Sequence, residues 1–153
     1  MAYQLEFEKL LSYGIGEPGI TLQATLKLKG QSLDVPVKLD TGASCCLFER
    51  RVGEALGFDI ETGMRQLFGT STGTFVAYGH EVTLSVADFE FDTVVFFASD
   101  AEITRNVLGR LAGWTGSYSA WLITKANFIS AVIVNRSEMP DAIIAGIVLT
   151  IDA

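Results

Sequence analysis

The triplet Asp40-Thr41-Gly42 is the part of this chain whose residue types point most directly to chemistry. It follows the largely apolar run from Leu33 to Leu39, so Asp40 is expected on a tight turn at the end of a strand. A carboxylate fixed at such a point can take a proton from water or donate one to a carbonyl oxygen. Hydrolysis of an amide bond requires both roles, which two neighbouring aspartates sharing one proton can supply.

A second motif, Val107-Leu108-Gly109, lies between Asn106 and Arg110. An Asp-Thr-Gly loop followed at this separation by two apolar residues and a glycine resembles the signature of aspartic proteases. A chain of 153 residues that contains Asp-Thr-Gly once resembles the retroviral-type (retropepsin-like) members, in their bacterial single-domain form. The resemblance implies an aspartic endopeptidase that is a homodimer, acts on a peptide or protein substrate, and uses no metal or organic cofactor.

The resemblance also assigns roles to single residues. It implies that Asp40 from each subunit forms the catalytic pair and that a water molecule is the nucleophile. Gly42 suits a turn in which the backbone approaches closely without a Cβ, and the Thr41 hydroxyl is implied to tie the two active-site loops together. The planar guanidinium of Arg110 is implied to brace the loop and the dimer contact.

The glycine-rich segment from Phe68 to Gly79 predicts a mobile hairpin. In the family this position is occupied by the flap, which closes over a bound peptide, excludes water and holds the peptide as an extended strand. The residues implied to contact the substrate from this flap are Gly69, Thr70, Gly73 and Thr74.

Each motif also has a purely structural interpretation. Asp-Thr-Gly is a common turn, a glycine-rich segment is often an ordinary loop, and Arg110 could be a solvated charge. The combination of motifs favours the protease fold over an unrelated β domain. A rival function stays open, namely a catalytically inactive retropepsin-like remnant, or a peptide-binding or dimerisation module that kept Asp-Thr-Gly for structural reasons.

The hydrophobic pattern predicts a mostly β fold, and the resemblance implies a single-lobe acid protease barrel with a flap hairpin and little helix. Apolar and polar residues alternate from Ile20 to Lys29, as in a half-buried strand. The β-branched and aromatic run from Phe89 to Ala98 predicts a strand buried on both faces. Small and apolar residues from Glu49 to Leu56 predict a short helix that ends at Gly57.

Composition limits the classes of partner. The chain has 11 basic and 18 acidic residues, a formal net charge of −7, and no cluster of Lys and Arg, so neither nucleic acid nor a membrane surface is an expected partner. Its most apolar stretches, Ala120 to Val134 and Ala142 to Ile151, are shorter than the roughly 18 residues that a membrane-spanning helix needs. No transmembrane segment is predicted.

The cysteines and the N-terminal residues predict a cytoplasmic location. Cys45 and Cys46 are adjacent, which disfavours a disulfide between them, so free thiols in a reducing compartment are expected. Met1 to Leu11 lacks the basic and apolar regions of a secretory signal. The single histidine, His80, is predicted to be a polar strand residue, and no Cys/His spacing predicts a metal site.

The resemblance covers residues 20–110, which are predicted to form the protease domain, preceded by an N-terminal segment at 1–19. Residues 111–153 form an atypical tail. One hypothesis is a frame shift near Arg110, because codons permitted for Ile123 to Glu138 can spell Y-E-G-K-L-Y-L-S-R-Y-S-E in another frame. The alternative is a real extension, in which Ile129 to Val134 and Ile143 to Ile151 pair as strands. Sequencing DNA across the Arg110 codon separates the two.

Overall fold

The computed structural model describes residues 9–12, 18–40, 42–70, 73–109, 118–123 and 127–133. Strands dominate these residues, which confirms the predicted mostly β fold. The elements, in chain order, are β1 (Lys9–Ser12), β2 (Thr21–Leu28), β3 (Gln31–Leu39), β4 (Leu47–Phe48), α1 (Arg50–Ala55), a 3₁₀ turn (Ile60–Thr62), β5 (Met64–Thr70), β6 (Gly73–Val86), β7 (Phe89–Ala98), β8 (Val107–Leu108), β9 (Tyr118–Ile123) and β10 (Asn127–Ile133).

The chain divides into two compact units, of which the larger is Gly19–Gly113. Its strands form one sheet in the order β2-β3-β8-β4-β7-β6-β5. β2 also pairs with β6, through Ala24 to Lys27, so the sheet closes on itself and leaves β5 outside the closure. β3 with β8 and β4 with β7 are the parallel pairs, and the other pairings are antiparallel.

The core of the larger unit is built from alternate residues of its strands. Leu22, Ala24 and Leu26 of β2 and Val35 and Val37 of β3 are buried, while the residues between them are exposed or half-buried. This confirms the predicted half-buried strand at 20–29. Burial of each large apolar side chain is worth about 1.5–3 kcal/mol. The largest fully buried side chains are Phe48, Phe97, Leu26, Ile60, Leu84 and Leu108.

β7 is buried on both faces only in its second half. Val95 to Ala98 are all buried, whereas Phe89 to Val94 alternates between half-buried and exposed. The prediction that the whole run is buried on both faces is therefore wrong for its first half. The second half is buried because side chains cover both faces there: Phe96 meets Phe68 at 5.2 Å between ring centroids, and Phe97 meets Phe58 at 5.6 Å and lies against Gly53 of α1.

The predicted short helix is confirmed as α1, with Glu49 and Leu56 as the flanking residues. It ends as predicted at Gly57, which has a positive φ of 89° and donates its N–H to Glu54 O at 2.9 Å. Glycine adopts this conformation without the Cβ clash that other residues meet. Among the described residues, no helix is long and apolar enough to cross a membrane.

Arg50 fixes the start of α1 to two neighbouring segments. Its guanidinium donates to both carboxylate oxygens of Glu61, at 2.6 and 3.1 Å, to Glu54 Oε1 at 2.7 Å and to Ser99 O at 2.9 Å. Glu61 and then Glu54 raise the pKa of Arg50, and Arg50 lowers the pKa of Glu61. The bidentate geometry suits a planar guanidinium, which lysine could not reproduce.

His80 lies on β6 as predicted for a polar strand residue. Its Nε2 is 3.0 Å from Ile60 O, and its ring centroid is 4.4 Å from that of Phe58. The ring therefore packs against the 3₁₀ turn, where the half-buried His80 has a hydrogen-bonding partner and a ring contact.

The smaller unit combines Met1–Pro18 with Trp114–Ala153. Its described strands form a three-stranded antiparallel sheet in the order β1-β10-β9. β10 thus pairs with β9 on one edge and with β1 on the other. Of the alternative in which Ile129 to Val134 and Ile143 to Ile151 pair as strands, the first run lies in β10 as far as Ile133. Ile143 to Ile151 lies outside the described residues, so the pairing stays a prediction.

We expect Gly53→Ala to lower the free energy of unfolding by at least about 1 kcal/mol, although alanine is the better helix former by a similar amount. A Cβ at Gly53 would lie 2.5 Å from Ile60 Cδ1 and 2.8 Å from Phe97 Cγ. Urea unfolding measures the change. The matched control is Gly69→Ala, where a Cβ meets nothing within 4 Å, and equal effects of both substitutions would contradict this packing.

Candidate active site

Asp40 lies where β3 ends, with an exposed side chain. Its backbone N–H donates to Leu108 O at 3.0 Å. Its carboxylate Oδ1 accepts the N–H groups of Gly42 at 2.8 Å and Ala43 at 3.2 Å. These contacts engage one carboxylate oxygen, so the turn orients the group through Oδ1.

The two sequence motifs meet in the fold, because β8 lies between the strand that enters the Asp40 loop and the strand that leaves it. Lys38 and Leu39 of β3 pair in parallel with Val107 and Leu108. Leu47 of β4 pairs with Val107 in the antiparallel sense. The loop is therefore held by Val107 and Leu108 where it begins and by Val107 where it ends.

Gly109 approaches this loop so closely that no side chain fits there. A Cβ at Gly109 would lie 2.2 Å from Cys45 O, 2.6 Å from Cys45 C and 3.0 Å from Ala43 O, all backbone atoms. Backbone atoms cannot move aside as the end of a flexible side chain can. The glycine of the second motif is thus required by a close approach, and the approach is to the Asp40 loop itself.

Cys46 completes this contact. Its Sγ accepts the N–H of Gly109 at 3.3 Å in a buried environment. Burial raises the pKa of Cys46 to about 12, and the hydrogen bond from Gly109 opposes this rise without cancelling it. Cys46 is therefore a neutral thiol with a packing and hydrogen-bonding role. Cys45 is also a free thiol, as predicted, and burial raises its pKa as well.

Asn106 is a site residue that the sequence motifs do not single out. Its backbone oxygen accepts the N–H of Lys38 at 2.9 Å, and its side-chain Oδ1 accepts the N–H of Glu49 at 3.0 Å. It thus contacts both the strand before the loop and the segment after it. In the sequence it is only the residue before Val107, and nothing in its spacing reveals these partners.

The glycine-rich segment forms the predicted hairpin of β5 and β6. Its first cross-strand pair is Met64 with Gly79, and its last is Thr70 with Gly73. Gly69 pairs with Thr74 and Thr70 with Gly73, so the four proposed flap residues lie together at its end. Thr70 Oγ1 also donates to Gly73 O at 3.0 Å.

Below the end of the hairpin, the Phe68 ring stacks on Phe75 at 5.4 Å and meets the edge of Phe96 at 5.2 Å between centroids. These rings attach the hairpin to the barrel, because Phe96 belongs to β7. Mobility of the hairpin stays a prediction.

The structure therefore brings Asp40, Gly42 and the motif at 107–109 into one site, while the residues at 69, 70, 73 and 74 form the end of a separate hairpin. Thr41 and Arg110 lie outside the described residues, and their roles stay predictions. No group of three or more His, Cys, Asp or Glu side chains in the described part of the chain could hold a metal ion.

Comparison with known proteins identifies the family. A family model described as aspartyl protease matches residues 24–111, more than half of the chain. The chain belongs to the aspartyl protease family. The matched region of this protease contains both motifs of the site. No curated protein sequence matches the chain.

One solved structure in particular supports the fold of this protease. It is similar to a retropepsin-like aspartic protease from Rickettsia conorii, with 16% identity and a TM-score of 0.61 over 79% of this chain and 96% of that chain. A weaker likeness is to the protease of EIAV in complex with the inhibitor HBY-793, at 21% identity, a TM-score of 0.47, and coverage of 62% and 85%. The predicted retropepsin-like fold is confirmed.

We expect the stability of the protease to fall between pH 9 and pH 12 partly because of Cys46. The unfolded thiol ionises near its ordinary pKa of 9.0, whereas the folded thiol stays protonated up to about 12. Ionisation of the thiol therefore lowers the free energy of the unfolded state in this window, by up to about 1.4 kcal/mol per pH unit, and the free energy of unfolding falls by the same amount.

The measurement is urea unfolding from pH 8 upwards for the parent and Cys46→Ala. The variant should show the shallower decline with pH, and Ser44→Ala, which removes an exposed hydroxyl from the same loop and no titrating group, is the control. Parallel curves for the parent and Cys46→Ala would contradict the assignment.

Proposed function

We propose that this chain is an aspartic endopeptidase that hydrolyses peptide bonds with a water molecule activated by two Asp40 carboxylates, one from each subunit of a homodimer. The observation that carries the proposal is the position of Asp40: an exposed carboxylate, oriented through Oδ1, on a loop held by the second family motif. The proposed catalytic domain is residues 20–110.

The chemistry follows from a shared proton. Two carboxylates held close together cannot both ionise easily, so one stays protonated and the pair titrates as a unit. The ionised carboxylate takes a proton from water, whose oxygen attacks the scissile carbonyl carbon, while the protonated carboxyl donates to the carbonyl oxygen. Collapse of the tetrahedral intermediate breaks the C–N bond, and the leaving amine receives a proton from the pair.

The homodimer is proposed because the chain contains one Asp-Thr-Gly, and a dyad needs two carboxylates. Thr41 is proposed to tie the two loops together through its hydroxyl, and Arg110 to brace the loop. A symmetric dimer suits this arrangement, because a two-fold axis brings the same residue of each subunit face to face.

The hairpin ending at Gly69, Thr70, Gly73 and Thr74 is proposed as the flap. Its hydrogen-bonded strands present backbone groups at their end, and an extended peptide is recognised through such groups. The free thiols of Cys45 and Cys46 suit a reducing compartment, so we propose the cytoplasm as the location.

We expect Asp40→Asn to abolish peptide hydrolysis, with a loss of at least about 1000-fold in kcat/KM, because an amide can neither take up nor share the proton. A library of peptides and an unfolded protein substrate, with products identified by mass spectrometry, measures cleavage. A peptide mimic with a hydroxyl in place of the attacked carbonyl should inhibit the parent.

The matched control is Asp59→Asn, which changes an exposed aspartate whose side chain makes no hydrogen bond to cap the 3₁₀ turn. Cleavage should be unchanged, and both variants should unfold at the parent's temperature. Cleavage that survives Asp40→Asn would overturn the proposal. Absence of cleavage by the parent, with peptide binding that survives the substitution, would favour the peptide-binding module instead.

A further inference from the structure

Two segments flank the loop that carries Asp40: an entering arm, residues 38–40, and a leaving arm, residues 47–49. Residues that precede Gly109 hold both arms. On the entering arm, Lys38 N donates to Asn106 O at 2.9 Å and Asp40 N donates to Leu108 O at 3.0 Å. On the leaving arm, Leu47 pairs with Val107, and Glu49 N donates to Asn106 Oδ1 at 3.0 Å. Asn106 therefore reaches one arm through its backbone and the other through its side chain.

The contact to Glu49 differs in kind from the others. The other hydrogen bonds named above, from residues 106–108 to the two arms, are between backbone atoms, which a substitution leaves in place. The hydrogen bond from Glu49 N–H to the Asn106 side chain is therefore the one that a substitution can remove.

The position of Glu49 determines how much this hydrogen bond contributes to stability. Glu49 is 7% exposed and is the residue before α1, where backbone N–H groups have no partner within the helix. A buried N–H without an acceptor costs roughly 1–3 kcal/mol. Asn106 Oδ1 supplies the acceptor, and so fixes where the chain leaves β4 and turns into α1.

We propose that Asn106 is a positioning residue for Asp40. It acts through the loop: by holding Glu49 and Lys38 together, it fixes the separation of the two arms between which residues 40–46 run. The catalytic part of this inference rests on the proposed function. The mechanical part, that Asn106 keeps the Asp40 turn in place, stands on the geometry of the hydrogen bonds.

The test compares Asn106→Ala, which removes the acceptor, with Asn106→Asp, which keeps an acceptor oxygen and nearly the same volume. In Asn106→Ala we expect kcat to fall about 10- to 100-fold with KM within about threefold of the parent, because displacement of a catalytic group slows the chemical step. Asn106→Asp should retain kcat within about threefold. The control is Gln23→Ala, which removes an exposed amide from β2 and should change neither parameter.

Amide hydrogen exchange provides a readout that does not need cleavage. The N–H groups of Gly42 and Ala43 donate to Asp40 Oδ1, so their exchange rates report the turn itself. In Asn106→Ala both should exchange at least about tenfold faster than in the parent, together with Glu49, and Asn106→Asp should restore them.

The outcomes separate the two proposals. If Asn106→Ala speeds exchange at Glu49 but leaves Gly42, Ala43 and kcat unchanged, Asn106 acts locally and the inference is wrong. If the parent cleaves nothing, the proposed function fails, and exchange at Gly42 and Ala43 alone decides whether Asn106 holds the turn. Should Asn106→Ala not fold, Asn106→Ser, whose shorter side chain cannot reach the same position, undergoes the same comparison.

Discussion

The site depends on one close approach of two backbone segments. Gly109 lies against the carbonyl of Cys45 with no room for a Cβ, and its N–H is bound by Cys46. This approach places β8 between β3 and β4, where Val107 pairs with both strands and Leu108 pairs with β3. Two motifs more than sixty residues apart in the sequence thereby become one structure around Asp40, and a carboxylate on an otherwise ordinary turn acquires a fixed direction.

The barrel supplies the rigidity that this contact requires. β6 is its longest strand: it pairs with β5 in the hairpin and with β2 at its far end, where the sheet closes. The proposed flap and the core therefore share a strand. Phe96 links the hairpin to the Asp40 loop, because its ring contacts Phe68 of the hairpin and its N–H donates to Cys46 O. A site built on paired strands positions its groups more accurately than one carried by loops alone.

Much of this arrangement could be predicted from the sequence, because its signals are local. Alternation in β2, the helix ending at Gly57 and the glycine-rich hairpin each depend on neighbouring residues, and the two motifs carry the family resemblance. The parts that could not be predicted depend on distant partners. Burial of both faces of β7 at Phe96 and Phe97 depends on Phe68, Phe58 and α1, and the pairing of β1 with β10 joins segments from opposite ends of the chain. Asn106 and Cys46 acquire their roles only through Glu49 and Gly109, which no spacing rule connects to them.

The central claim, that the catalytic dyad is assembled from two copies of the chain, is tested most directly by mixing subunits. Parent protein at a fixed, fully dimeric concentration is allowed to exchange subunits with increasing amounts of Asp40→Asn, and the rate of peptide cleavage is followed. If each site needs Asp40 from both subunits, inactive mixed dimers form and an equal amount of the variant lowers the rate by about half, with further loss as more is added. A cleavage rate that stays constant under complete subunit exchange would show that each chain acts alone, and would contradict the account.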